Sequence, residues 1–151
     1  MKAPVVAILV LAHVMSGSAA AEEFPYATVR RGCTQEDARA IELLFTRQPF
    51  AGSGPPTRPY IRVEISWGDW PIGQDLTLGP LAREPHDQGF VVRAEFSRDP
   101  GDSVWLNGSL RLTKVDVDHS VAGVFKFTEP SGTGWRGTFD ASWTAGGHGC
   151  G

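Results

Sequence analysis

The chain has 151 residues, a formal net charge of −3, 18 glycines, 11 prolines and two cysteines. Nucleic acids and anionic membrane surfaces recruit clustered basic residues, so this acidic balance argues against both kinds of partner. The length suits one domain, and the many turn-forming residues favour an all-β fold.

The first 21 residues have the pattern of a cleavable export signal. Lys2 supplies the positive start, Val5 to Val14 form an apolar core, and Ala19 to Ala21 provide a small-residue cleavage pattern. The apolar run is too short to span a bilayer, and no second run follows it. We therefore expect residues 22–151 to form a single secreted or periplasmic domain with no integral membrane segment after cleavage.

Cys33 and Cys150 lie near opposite ends of this domain. An even pair of cysteines in an exported chain usually forms a disulfide, so we predict a bridge between them. Structural zinc typically has four soft ligands arranged as close pairs, so neither a metal site nor a cofactor is expected here. The lack of a Cys-x-x-Cys motif argues against a redox thiol.

One helix is predicted near the start of the domain. Thr34 resembles a helix N-cap, and Ile41, Leu44 and Phe45 recur at helical spacing. We therefore predict an amphipathic helix from Gln35 to Thr46 that covers one face or end of a sheet.

The rest of the domain alternates between apolar and polar residues, which is typical of half-buried strands. The alternation changes parity near Thr113 and Lys114, which predicts a bulge there. The last three strands are joined by short turns and predict an antiparallel meander. These strands and the helix predict a mainly β fold, either a small antiparallel β-sandwich or a partly open barrel. The predicted strands lie within residues 61–67, 74–78, 90–96, 104–117, 121–127 and 135–143.

The segment from Leu106 to Ala141 contains three short motifs. They read Gly-x-Leu-x-Leu, Val-x-Gly-x-Phe-x-Phe and Gly-x-Phe. This sequence resembles the hairpin-rich pattern of small exported bacterial β-rich proteins of unknown function. The resemblance implies a style of fold and a periplasmic or extracellular location, and it carries no active site.

Two of the five tryptophans are candidate ligand-binding residues. Trp105 shares the polar face of its strand with Asn107 and Arg111, and Trp70 lies in a turn. An exposed aromatic ring can stack on the apolar face of a sugar while neighbouring polar groups bind the hydroxyls. The alternative is that both rings are buried, as large aromatic side chains usually are. The other three lie on apolar faces and are predicted core residues: Trp67, Trp135 and Trp143.

Adjacent acid and imidazole side chains occur at His86-Asp87 and at Asp118-His119. No nucleophile motif accompanies them, so they are interpreted as turn residues, and a small hydrolase or metal-dependent enzyme is the least favoured hypothesis. Asp116 could join the second pair in chelating a cation, but no calcium-loop signature is present. The leading hypothesis is an exported, non-catalytic domain that binds an unknown protein or an envelope glycan. A carbohydrate-binding module that uses its exposed tryptophans is the alternative.

Overall fold

A computed structural model describes residues 23–33, 39–52, 54–66, 72–78 and 92–144. Most of these residues belong to strands, which confirms the expectation of a mainly β chain for the described residues. The strands are β1 Tyr26–Cys33, β2 Arg39–Thr46, β3 Tyr60–Ser66, β4 Asp75–Leu78, β5 Val92–Asp99, β6 Asp102–Trp105, β7 Asn107–Asp116, β8 Ser120–Thr128 and β9 Gly134–Trp143.

These strands form one sheet in the order β4-β7-β8-β9-β1-β2-β3-β5-β6. Neighbours are antiparallel except β1 and β9, which run parallel and pair Val29 with Trp143. β6 is the last strand in this order and β7 the second, yet only Leu106 separates them along the chain. The sheet must therefore curl until its two margins approach each other. Of the two predicted architectures, the described residues form the partly open barrel and not the two-sheet sandwich.

The helix predicted from Gln35 to Thr46 is wrong from Arg39 onward, because this part of the chain forms β2. Its predicted first turn lies outside the described residues. Leu44 is only 1% exposed, although it lies on the side of β2 opposite the core. A strand buried on both faces has a nearly continuous apolar run, and such a run also satisfies helical spacing. The core-facing side chains of β2 are at most 1% exposed: Ile41, Leu43 and Phe45.

The core lies inside the curled sheet and is rich in aromatic rings. Phe45 of β2 packs against Phe125 of β8, with ring centroids 4.8 Å apart. The predicted core position of Trp135 is confirmed, since this residue is buried. Trp143 is partly buried against the core, and Trp67 lies outside the described residues. Aromatic packing therefore joins β2 to the opposite wall of the curled sheet.

β7, β8 and β9 form the antiparallel meander that the sequence predicts. The register of β7 against β8 shifts between Leu112 and Lys114, which confirms the predicted bulge. The corner between β6 and β7 depends on Gly108, whose φ is +133°. A Cβ on Gly108 would lie 1.9 Å from the carbonyl oxygen of Lys126, so β7 and β8 can approach this closely only at a glycine.

Candidate functional site

The outer surface of β7, β8 and β9 is exposed and basic. Successive residues of a strand point to opposite sides, so the buried residues of the meander line the core and the remainder face outward. We call this outer surface the basic face. It carries more cations than carboxylates, although the whole chain has a net charge of −3. Its side chains include Asn107, Ser109, Arg111, Lys114, Val124, Lys126, Thr128, Arg136, Thr138 and Asp140.

Lys126 of β8 and Arg136 of β9 lie directly opposite each other in the antiparallel register. Both are exposed, and within the described residues neither side chain has a hydrogen bond or an ion pair. Facing side chains of adjacent strands have Cβ atoms about 5 Å apart, so these two positive charges repel each other. An anion bound between the two charges would relieve that repulsion.

Arg111, which the sequence predicts as a ligand-binding residue, has a protein partner. Its Nε and Nη2 atoms donate to the two carboxylate oxygens of Asp75 on β4, at 2.8 and 2.5 Å. This hydrogen bonding holds the pKa of Asp75 below its ordinary value and raises the pKa of Arg111. A charge satisfied in this way attracts an external anion less strongly than the charges of Lys126 and Arg136 do.

Trp105 ends β6, and Asn107 begins β7 two residues later. Trp105 is 40% exposed, and its neighbour Val104 packs against the core, so the Trp105 ring lies on the outer side. The structure therefore brings Trp105 and Asn107 together. Arg111 is six residues beyond Trp105, about 20 Å along an extended strand. These predicted site residues thus mark an elongated surface that runs from the end of β6 along β7, and Trp70 lies outside the described residues.

The turn between β7 and β8 holds the residues considered for cation binding. Nδ1 of His119 lies 3.1 Å from Oδ1 of Asp116, and the His119 side chain is 77% exposed. Asp118 has a φ of +67° and accepts a hydrogen bond from Arg31 of β1 at 2.8 Å. Among the described residues, no group of three or more His, Cys, Asp or Glu side chains could hold a metal ion. The contacts of these side chains stabilise a hairpin tip. The other acid–imidazole pair lies outside the described residues.

A charged network absent from the sequence prediction lies on the outer side of β1, β2, β3 and β5. Nε of Arg30 donates to Oε2 of Glu42 at 2.6 Å, and both side chains are only 8% exposed. Arg62 lies 3.7 Å from Glu42 and 2.8 Å from Glu95. Burial opposes the charged form of Arg62, but attraction from Glu95 and Glu42 outweighs it and raises the pKa of Arg62. Alternation along a strand predicts an outward direction for such residues and does not reveal that they are covered.

The loop between β2 and β3 contacts this network and borders a partly open cavity of about 260 Å³. Nη1 of Arg30 donates to the carbonyl oxygen of Gly54 in this loop at 2.6 Å. The Arg30 guanidinium also lies 5.8 Å from the ring centroid of Phe50. The buried ion pair of Arg30 therefore positions the loop that forms the cavity. The cavity is lined by apolar Pro49, Phe50, Pro56 and Pro59 and by charged Arg47 and Arg58.

The predicted disulfide has one described member, because Cys33 ends β1 and Cys150 lies outside the described residues. The pairing of these two cysteines stays a prediction. β9 ends at Trp143, which is in parallel register with Val29. The last residue of β9 is therefore beside Val29, four residues before Cys33 on β1.

No family model, curated protein or solved structure matches the chain. Within the described residues, no helix is long and apolar enough to cross a membrane.

Proposed function

We propose that this chain is an exported, non-catalytic module that binds an acidic envelope glycan through the basic face and Trp105. The export pattern of residues 1–21 supports a secreted or periplasmic location, where envelope polysaccharides are the abundant polymers. The observation that carries the proposal is the opposed pair of Lys126 and Arg136. Two like charges held side by side cost stability in the free protein, so an anionic ligand would bind them favourably.

The neighbouring side chains favour a glycan over an acidic protein as the ligand. Trp105 presents a ring that is 40% exposed, and Asn107 beside it offers an amide. Hydroxyl and amide groups along an open strand surface can form hydrogen bonds with sugar hydroxyls, and an indole ring can stack on the apolar face of a pyranose. Protein interfaces usually have an apolar centre. On the basic face, the exposed apolar side chain of Val124 is surrounded by polar side chains, which does not provide such a centre. The uronic acid carboxylates of an acidic glycan would bind Lys126 and Arg136.

The state of the described acids and bases supports the non-catalytic part of the proposal. A general base needs hydrogen-bond reach to a substrate proton and a pKa near the working pH. His119 stands on an exposed hairpin tip beside Asp116. Asp75 is bound by Arg111, and a carboxylate held in its ionised form by a guanidinium is a weak base.

The reach of the chain supports the disulfide between Cys33 and Cys150. Val29 and Cys33 are four residues apart on β1, about 13 Å along the strand. The seven residues from Trp143 to Cys150 can span up to about 23 Å when extended. Since β9 runs parallel to β1, the chain after Trp143 starts in the direction of Cys33. A bridge there would fasten the parallel pair that joins the two ends of the domain, and an exported location permits it.

The test of the proposed function is the affinity of residues 22–151 for oligogalacturonate, a linear oligosaccharide of uronic acids, measured by isothermal titration calorimetry. A neutral cello-oligosaccharide of the same length is the reference ligand. We expect saturable binding of oligogalacturonate that weakens as salt is added, because salt screens exposed charges. The neutral oligosaccharide should bind at least about tenfold more weakly.

Two variants locate the binding surface. The double variant Lys126→Gln and Arg136→Gln should lose about tenfold or more of the affinity, and Trp105→Ala should cause a loss of similar size. The control is the double variant Arg31→Gln and Arg98→Gln, which removes the same number of positive charges outside the basic face. Equal losses in the two double variants would contradict the proposal, because they would show attraction to net charge alone. The absence of binding to oligogalacturonate would also contradict it.

A further inference from the structure

The cavity beneath the β2–β3 loop has the size and the lining of a site for a small ligand. Its volume is about 260 Å³, and three prolines and Phe50 form its apolar walls. Known ligand pockets start at about 300 Å³, so this cavity is slightly smaller than they are and suits only a small ligand.

Arg58 contributes to the lining of this cavity, and within the described residues its guanidinium has only neutral protein partners. Its Nε donates to Oγ of Ser97 at 2.9 Å, and its Cζ lies 5.7 Å from the ring centroid of Tyr60. Within the described residues, no ion pair involves Arg58. Arg47, also on the cavity wall, differs because it is bound to Glu23. A guanidinium has five N–H donors, so Arg58 has donors left for a two-point bond to a carboxylate.

The loop that forms the cavity is held by contacts independent of any ligand. Arg30 donates to the carbonyl oxygen of Gly54, and the hydroxyl of Thr46 donates to the carbonyl oxygen of Gln48 at 2.7 Å. Arg30 itself is fixed by its buried ion pair with Glu42. A binding site that is already formed avoids the entropy cost of ordering a loop when the ligand arrives.

We propose that this cavity binds a small carboxylic acid with a flat apolar body. The carboxylate pairs with the guanidinium of Arg58, and the apolar body packs against Phe50 and the neighbouring prolines. This site is separate from the basic face, and its ligand is independent of the proposed glycan. The chemistry combines a charge-assisted, two-point hydrogen bond with burial of an apolar ring.

The test is a titration of isotope-labelled residues 22–151 with benzoate, followed by NMR chemical shifts of the backbone amides. Benzoate has the right charge and is small enough for the cavity, and benzamide is its neutral counterpart of the same shape. We expect saturable shifts confined to residues 46–59 and their contacts, with benzamide binding at least about tenfold more weakly. Arg58→Gln should weaken benzoate binding by at least about tenfold.

Arg31→Gln is the control, because Arg31 is an exposed arginine of β1 that lies outside both the cavity lining and the basic face. It should leave benzoate binding unchanged. The proposal would be overturned by equal binding of benzoate and benzamide, by shifts located away from the loop, or by equal effects of the two arginine variants. The comparison of benzoate with benzamide uses the unmodified chain, so it decides the matter even where Arg58→Gln fails to fold.

Discussion

Lys126 and Arg136 face each other across β8 and β9 with both side chains exposed, so the meander holds two positive charges side by side. Their repulsion lowers the stability of the free domain. On the same strands the inward residues Phe125 and Trp135 are buried in the core, which fixes the register. Folding of the core therefore imposes this charge pair on the outer surface, where a bound anion would offset its cost.

The opposed charges predict that stability and binding change in opposite directions in one variant. Lys126→Glu replaces a repulsive cross-strand pair with an attractive one, so the free energy of unfolding should rise by about 0.5 kcal/mol. The same change should weaken oligogalacturonate binding. Urea unfolding followed by circular dichroism measures the first effect. Lys114→Glu is the control, since Lys114 faces the uncharged Ala122 and should change stability little. Loss of stability in Lys126→Glu would contradict the assigned register.

The close approach of β7 and β8 at the corner predicts a strong effect of a single methyl group. Gly108→Ala should lower the free energy of unfolding by about 2 kcal/mol or more, because its Cβ would collide with the carbonyl of Lys126 at a positive φ. Gly132 also has a positive φ, of 97°, but its Cβ would meet open space. Gly132→Ala should therefore cost only about 1 kcal/mol. Equal losses on chemical denaturation would show that the corner is less crowded than described.

The sequence predicts those features of the fold that depend on local pattern. The meander and the bulge at Thr113 and Lys114 follow from a period of two and from short turns. β2 was assigned to a helix because a strand buried on both faces lacks alternation. The parallel pairing of Val29 with Trp143 joins residues far apart in the chain, and no local signal marks such a contact. The fold class could therefore be predicted, but the closure of the sheet could not.

The candidate site, like the fold, could be predicted from the sequence only in part. The sequence places Trp105, Asn107 and Arg111 on one outward face, and the structure leaves all three exposed, at the end of β6 and along β7. The opposition of Lys126 to Arg136 depends on the register of β8 against β9, and the apolar alternation alone permits registers that differ by two residues. The cavity forms where the β2–β3 loop packs on the sheet. The hydrogen bond from Arg30 to Gly54 positions this loop, and a pattern of apolar and polar residues cannot predict such a bond.

The buried ion pair predicts an asymmetry between two acid-to-amide substitutions. Glu42→Gln leaves Arg30 charged in a site where its side chain is only 8% exposed, so the free energy of unfolding should fall by about 3 kcal/mol. Asp75→Asn disrupts an exposed two-point pair with Arg111 and should have an effect within the ordinary scatter of surface substitutions. Thermal unfolding of both variants provides the comparison. Similar shifts in melting temperature would mean that the Arg30 network is as solvated as the surface pair.

Glu129 predicts a defined pH dependence of stability. A hydrogen bond from the Ser131 hydroxyl, assisted by Thr133 and Arg98, holds the pKa of Glu129 below its ordinary value of 4.5. The ionised form stabilises the folded chain above that value, and the contribution disappears as pH falls through the lower folded pKa. The difference in unfolding free energy between the unmodified chain and Glu129→Gln should therefore shrink from about pH 6 to about pH 3. A difference that stays constant across this range would show that Glu129 does not contribute to the loss of stability in acid.

The measurement that tests the central claim most directly is an NMR titration of labelled residues 22–151 with oligogalacturonate. The account predicts that shifts concentrate on the amides of the basic face, including Lys126 and Arg136, and on the indole N–H of Trp105. The amide chemical shifts of core residues and of the β2–β3 loop should not change. Shifts confined to the loop, shifts spread evenly over the surface, or no saturable shift would contradict a glycan-binding role for this face.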